Sequence, residues 1–101
     1  MANLFISYDI TNDRLRTKTA KILERHGCKR VQKSVFYAAR FEAAEVRKLR
    51  AELARLVGPH LEEQDSLLCI PVTQNYLDDL VWQGDRTFFE RLFPEILVKM
   101  M

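Results

Sequence analysis

The sequence predicts an α+β domain in which two helices lie on one face of an antiparallel sheet. Three observations carry this. Residues 3–10 alternate as a strand does. Two segments, from about 11 to 26 and 41 to 57, repeat their apolar residues with helical spacing. Strand-like runs at 29–39 and 65–72 separate and follow those helices.

In the first strand Leu4, Ile6, Tyr8 and Ile10 point one way, and Phe5, Ser7 and Asp9 the other. Thr11, Asn12 or Asp13 can cap the first helix, and Gly27 supplies its stop. Leu15, Thr19, Ile22, Leu23 and His26 share its apolar face. The segment KRVQKSVFYAA, residues 29–39, returns to strand character, but its polar Lys33-Ser34 pair calls for a kink, a bulge or two short strands. The second helix has the apolar set Ala43, Val46, Leu49, Leu53, Leu56 and Val57, spaced three or four apart, and ends at Gly58-Pro59. DSLLCIPV, residues 65–72, reads as a buried strand with Pro71 at its exit. QNYLDDL supports one or two helical turns and VWQG a short strand; the tail DRTFFERLFPEILVKM is apolar, partly helical in period and interrupted by Pro94. The order β-α-β(β)-α-β is that of a ferredoxin-like sandwich, expected here as a single domain over 1–101 with 74–101 as a C-terminal appendage. Both helices cover one face. The other face, which carries Phe5, is expected to meet solvent or a second copy of the chain.

A chain of 101 residues gives one modest core, to which dimerisation would add. No apolar run approaches the roughly 18 residues of a membrane-spanning helix, and the N-terminus lacks a signal-peptide pattern. The expected location is the cytoplasm. Cys28 and Cys69 have no CxxC spacing and read as reduced thiols that fill space. The net charge of +2 hides an asymmetry: residues 1–50 hold 12 Lys/Arg against 5 Asp/Glu, and residues 51–101 hold 4 against 9. A basic half suits an anionic partner such as nucleic acid.

Within that half, Arg14, Lys18, Lys21 and Arg25 are spaced four, three and four apart. On a helix they fall within roughly a 60° arc, well off the apolar face. Four cations on one ridge repel, so the helix gains nothing from the grouping, whereas a phosphate backbone would favour it. The bland alternative is a solvated basic face. Lys29, Arg30 and Lys33 extend the positive region.

Asp9 ends the first strand just ahead of these cations. It can cap the next helix, or it can be a metal ligand. One carboxylate alone is a poor site for magnesium, which takes oxygen ligands and usually one or two carboxylates with several waters. Two copies of Asp9 meeting across a two-fold axis would suffice, and a divalent cation between them could polarise a phosphoryl oxygen and activate water. His26 and His60 sit at helix ends, where structural roles suffice. Asp78 and Asp79 read as a solvated pair. Tyr8, Phe36, Tyr37 and Trp82 are core residues or platforms for stacked bases. There is no Gly-rich phosphate loop and no Ser-His-Asp pattern.

Tyr8-Asp9-Ile10, then Asp13, Arg16 and Lys18, then Gly27 and the stretch Arg30-Val31-Gln32-Lys33-Ser34-Val35-Phe36, resemble the CRISPR-associated Cas two family, most closely over residues 3–37. The resemblance implies a ferredoxin-like homodimer in which a late strand, with VWQG the natural candidate, completes the partner's sheet. It implies a metal-dependent endonuclease acting on single-stranded RNA or duplex DNA. It also implies the central subunit of the complex that inserts spacers, partnered by the Cas one integrase with DNA across the dimer. By position, Asp9 would be the magnesium ligand and essential acid, flanked by Tyr8; Arg16 and Arg30 would hold phosphates; Ser34 and Phe36 would support the site. Lys18 stands where some members have arginine, and keeps the charge without the bidentate fork.

Three readings follow. The first is a metal-dependent phosphodiesterase. The second is a DNA-binding scaffold that cleaves nothing. The third is a ferredoxin-like small-molecule sensor, against which the cationic ridge argues.

Overall fold

In a computed structural model, which describes residues 1–84 and the backbone of 99–100, β1 (Ala2–Asp9) runs through the interior of the sheet. The alternation read from the sequence holds. Leu4, Ile6 and Tyr8 are buried, Phe5 and Ser7 half-buried, and Asp9 exposed. The chain continues through α1 (Asp13–Arg25), β2 (Lys29–Gln32), β3 (Val35–Phe41), α2 (Ala43–Leu56) and β4 (Ser66–Val72). The strand order is β2-β3-β1-β4, antiparallel throughout. This is the predicted ferredoxin-like arrangement.

Local chemistry explains the boundaries. Asn12 caps α1, its side chain accepting from the Leu15 amide at 2.9 Å. Gly27 ends it with φ +89°, a left-handed value that costs glycine little. The Gly27 amide donates to the Glu24 carbonyl and the Cys28 amide to that of Leu23, satisfying the last turn. Lys33 and Ser34 form the turn between β2 and β3, so the polar pair marks two strands rather than one kinked strand. The register of that hairpin shifts between Arg30 and Gln32. At the far end of β3, Arg40 takes φ +55° where the β1–β3 register breaks, and its amide donates to Asn3 Oδ1 at 2.9 Å. The Glu42 amide donates to Glu45 Oε1 at 2.9 Å and opens α2.

The main core lies between the sheet and the two long helices. Leu4, Ile6, Tyr8, Phe36 and Ala38 meet Leu15, Ile22, Leu23, Leu49, Leu53 and Val57 there. A second cluster occupies the opposite face and revises one expectation. That face is not left wholly to solvent or a partner. The short helix α3 (Gln74–Asp78) places Leu77 on Val31 and Tyr37, with Phe5, Val35, Val72, Leu80 and Trp82 around them. The Phe5 and Tyr37 rings lie 5.0 Å apart at 43°. Leu68 and Ile70 of β4 stay 56% and 39% exposed on this side, so part of the face is still available to a second copy.

The predicted VWQG strand is β5 (Val81–Trp82), which pairs in parallel with β6 (Lys99–Met100) of the same chain. The expected helical period of the tail falls at 85–98, outside the described residues. Among the described residues no helix is long and apolar enough to cross a membrane.

Candidate nucleic-acid interface

Asp9 stands at the end of β1, opposite Ser66 in the β1–β4 ladder. Because Tyr8 turns inward, Asp9 turns to the other face and is exposed. Its carboxylate makes no hydrogen bond or ion pair with the described residues, so the alternative of a helix cap is excluded; Asn12 has that role. Around it lies an open hollow of about 430 Å³, lined by Tyr8, Asp9, Ile10, Arg16, Thr17, Arg30, Lys33 and Ser34. Five residues singled out from the sequence, Tyr8, Asp9, Arg16, Arg30 and Ser34, thus converge from β1, α1 and the β2–β3 hairpin. Lys33, read only as part of a positive region, joins them because the hairpin turn carries it over the strand end.

The walls of the hollow are tied down. The Ser34 carbonyl accepts from the Tyr8 amide at 3.0 Å, holding the hairpin turn against β1. The Tyr8 hydroxyl approaches the Lys33 carbonyl at 3.5 Å. Tyr8 stacks on Phe36 with ring centroids 6.2 Å apart and planes 26° apart. Phe36 is fully buried, and the Arg30 guanidinium lies 5.0 Å from its ring centroid. Phe36 thus supports the hollow through Tyr8 and Arg30 rather than by lining it. Arg16 is more committed than expected of a phosphate ligand. Its Nη1 donates to the Ile10 carbonyl at 3.0 Å and leans on that of Thr11 at 3.4 Å, while Nη2 pairs with Asp13.

The predicted ridge lines a second hollow of about 500 Å³, walled by Arg14, Lys18, Lys21 and Arg25 over Ile22 and Leu56. Thr17 borders both hollows, so they adjoin over the first turns of α1. Arg14, Lys18 and Lys21 are exposed and form no ion pair among the described residues. Arg25 does. Glu52 of α2 takes its Nη2 on one oxygen and His26 Nε2 on the other, the latter at 2.8 Å. One ridge cation in four is therefore held by its own fold.

The remaining candidates take structural positions. His26 belongs to the Glu52 cluster, and exposed His60 lies near Arg14, Lys18 and Glu62; neither borders the Asp9 hollow. Asp78 accepts from Gln74 Nε2 at 3.0 Å. Tyr8, Phe36 and Tyr37 are buried and Trp82 is packed in the second cluster, so these rings are core rather than stacking platforms. Cys28 is buried and its thiol is pushed up to about 12, first by burial and then by the nearby Cys69; burial raises Cys69 too, against the opposing charge of Arg50.

The sequence reading placed Asp65 at the start of a strand and gave it no role at the site. Asp65, before β4, accepts on Oδ1 from the Thr11 amide at 3.0 Å and the Thr11 hydroxyl at 2.9 Å, and on Oδ2 from the Glu62 amide at 2.9 Å. The backbone bonds from Glu62 and Thr11 hold its carboxyl below the usual carboxylate range. An aspartate two residues ahead of an apolar strand core signals a turn, but nothing local reveals that its partner lies 54 positions away.

No group of three His, Cys, Asp or Glu side chains that could hold a metal ion occurs among the described residues. Among the described residues Asp9 brings the only carboxylate to its hollow. The described residues of one chain therefore do not form a closed metal site. An exposed carboxylate such as that of Asp9 is the group on this chain that would hold a hydrated divalent ion.

Comparison with known proteins agrees with this arrangement. The family model for CRISPR associated protein Cas2 matches residues 1–79. The chain is 41% identical over 69 residues to the CRISPR-associated endoribonuclease Cas2 3 of Chloroflexus aurantiacus, covering 68% of this chain and 69% of that relative. Among solved structures it is similar to a hypothetical protein, TT1823, of Thermus thermophilus. The TM-score is 0.60 at 32% identity, over 71% of this chain and 82% of that one. It also shares its fold with a chain of the partial Cas6-RT-Cas1–Cas2 complex, with a TM-score of 0.65 at 23% identity over 76% of this chain and 84% of that one. The matched span runs from β1 through α3 and so contains the Asp9 hollow and the cationic ridge whole. The chain belongs to the CRISPR associated protein Cas2 family.

Proposed function

We propose that the protein binds nucleic acid as a homodimer and serves CRISPR adaptation in the cytoplasm, bridging a Cas1-type integrase and the DNA to be inserted. The observation that carries this is the α1 ridge. Arg14, Lys18 and Lys21 stand exposed and unpaired beside a hollow with three further cations, Arg16, Arg30 and Lys33. Each phosphate such cations neutralise releases counterions, and this release drives association. A dimer is supported by β4, whose outer edge has no strand among the described residues, and by the exposed Leu68 and Ile70 upon it. The Cas1 partner is supported by the shared fold with a chain of a Cas1–Cas2 complex.

A second reading, phosphodiester hydrolysis at Asp9, is favoured by its unpaired carboxylate and by the named activity of the Chloroflexus relative. Asp9 from each copy would hold a divalent cation such as Mg2+, which would supply charge against the phosphoryl oxygens. The chain's own part is to bind and orient. Arg30, fixed on Phe36, offers its guanidinium edge to a phosphate. Lys33 adds charge at the hairpin turn, and both offset negative charge that develops on the phosphoryl oxygens. Arg16 keeps the strand end in place through Ile10 and Thr11.

Asp9→Asn separates the two readings. Wild type and variant are compared on single-stranded RNA and duplex DNA, with magnesium and with chelator. Loss of a magnesium-dependent product in the variant supports hydrolysis. Equal background in both, with spacer integration intact in the variant, supports the scaffold.

A further inference from the structure

We propose that Asp65 is a positioning residue for Asp9, fixing the backbone that carries its carboxylate by gripping the chain two residues beyond it. The proposal rests on the reading above only for what the Asp9 carboxylate does.

The geometry is a clamp with one long-range jaw. β1 leaves the sheet at Asp9, whose ladder partner is Ser66. Without further contacts, the exit Ile10–Thr11 would fray as strand ends do. Asp65 immediately precedes Ser66 and takes both donors of Thr11, the amide at 3.0 Å and the hydroxyl at 2.9 Å, on a single oxygen. Its other oxygen takes the Glu62 amide at 2.9 Å, and the Asp65 amide returns a bond to the Glu62 carbonyl at 3.0 Å. The jaw is therefore anchored in its own turn before it reaches across. From the opposite side Arg16 Nη1 holds the Ile10 carbonyl at 3.0 Å, and the buried Ile10 side chain anchors the exit in the core. Three independent contacts thus over-determine two residues, and the residue they follow is Asp9.

The choice of an aspartate is informative. All three of its partners are neutral donors, and no cation pairs with it among the described residues. A carboxylate accepts three such bonds at once. An asparagine, with one oxygen and an NH2 group, keeps the Thr11 bonds and loses the one from Glu62. A side chain needed only to close a turn would not require the second oxygen to be held while the first reaches 54 positions back along the chain.

The test is backbone amide order parameters from 15N relaxation in wild type, Asp65→Ala, Asp65→Asn and Thr11→Val. In the wild type Asp9, Ile10 and Thr11 should be rigid, near about 0.85, and in Asp65→Ala they should fall toward about 0.6 while Phe5, Ile6 and Ser7 stay unchanged. Thr11→Val, which removes only the hydroxyl bond, should fall between. Wild-type values at residues 9–11 in Asp65→Ala would overturn the proposal. If Asp65→Ala does not fold, Thr11→Val decides it: lowered values at residues 9–11 support the clamp, wild-type values there overturn it, and Asp65→Asn, which keeps the Thr11 bonds, serves as the control that should stay rigid. Where the wild type cleaves, kcat should drop about tenfold or more in Asp65→Ala with KM and duplex affinity unchanged. A role in stability alone would lower the folded fraction and leave the kcat of the folded enzyme intact. Wild type that cleaves nothing would remove the hydrolytic reading, and the order parameters would still decide the clamp.

Discussion

The Arg30 guanidinium rests 5.0 Å from the centroid of the Phe36 ring, and Phe36 in turn is fully buried against Tyr8. A cation at the hollow is thereby supported by the core, although Phe36 itself never reaches solvent. The two residues are ladder partners across β2 and β3, which is why they meet. Phe36→Ala should destabilise the protein by about 3–5 kcal/mol, as emptied aromatic core sites do, read by urea denaturation. Phe36→Leu should fold, yet bind duplex DNA more weakly, because Arg30 loses its platform. Arg30→Lys should also bind more weakly, since lysine keeps the charge without the planar fork.

Glu52 gives a prediction of opposite sign. It holds Arg25 and His26 together and subtracts one cation from the ridge. Glu52→Gln should free Arg25. Duplex affinity should rise, and the slope of log K against log salt should steepen by up to about 0.9, the value of one more phosphate contact. Titrations by fluorescence anisotropy at several salt concentrations check this.

Asp65 predicts a pH dependence. Its carboxyl is held below its ordinary value of 3.8 by the Glu62 and Thr11 bonds. Its folded pKa therefore lies below its unfolded one. The stability it contributes is present above the unfolded value and is lost as pH falls through the folded one. Wild type should melt above Asp65→Asn at pH 6, and the gap should narrow as pH falls below 3.8 and through the lowered folded value. Melting curves across that range measure it.

Cys28 predicts a difference in reactivity. Its thiol, pushed up to about 12 and buried, holds almost no thiolate at pH 8. Iodoacetamide should leave it unmodified in the folded protein and alkylate it in denaturant. Cys69 is half-buried and should react first, though more slowly than a free thiol. The sign for stability follows. The unfolded thiol ionises near 9.0 and the folded one at about 12, so folding should weaken as pH rises through that interval. Mass spectrometry of tryptic peptides reads the first effect.

Local signals made much of this legible. The alternation of β1, the cap at Asn12, the glycine stop at Gly27 and the helical spacing of Leu49 and Leu53 all lie within a few residues of what they specify. The ridge was legible for the same reason, since helical geometry alone brings Arg14, Lys18, Lys21 and Arg25 together. The convergence of Tyr8, Asp9, Arg16, Arg30 and Ser34 followed from the family resemblance rather than from spacing. What could not be read was pairing at a distance: Glu52 drawing on Arg25, Asp65 gripping Thr11, and Leu77 covering Tyr37. In each case the partner lies on another element, and only the packing of the sheet decides which side chains meet. Arg16 was misjudged for a different reason, because its partners are local. The family resemblance marked it as a phosphate ligand, while the nearby Ile10 and Thr11 carbonyls take up much of its hydrogen-bonding capacity.

The most direct test of the nucleic-acid reading is the salt dependence of duplex DNA binding by wild type and by the triple variant Arg14→Ala, Lys18→Ala, Lys21→Ala. The variant should keep its fold, because it removes only exposed cations that repel one another. Its slope of log K against log salt should be shallower by about 2–3, with a matching loss of affinity at low salt. A wild-type slope and affinity in the folded variant would contradict the account.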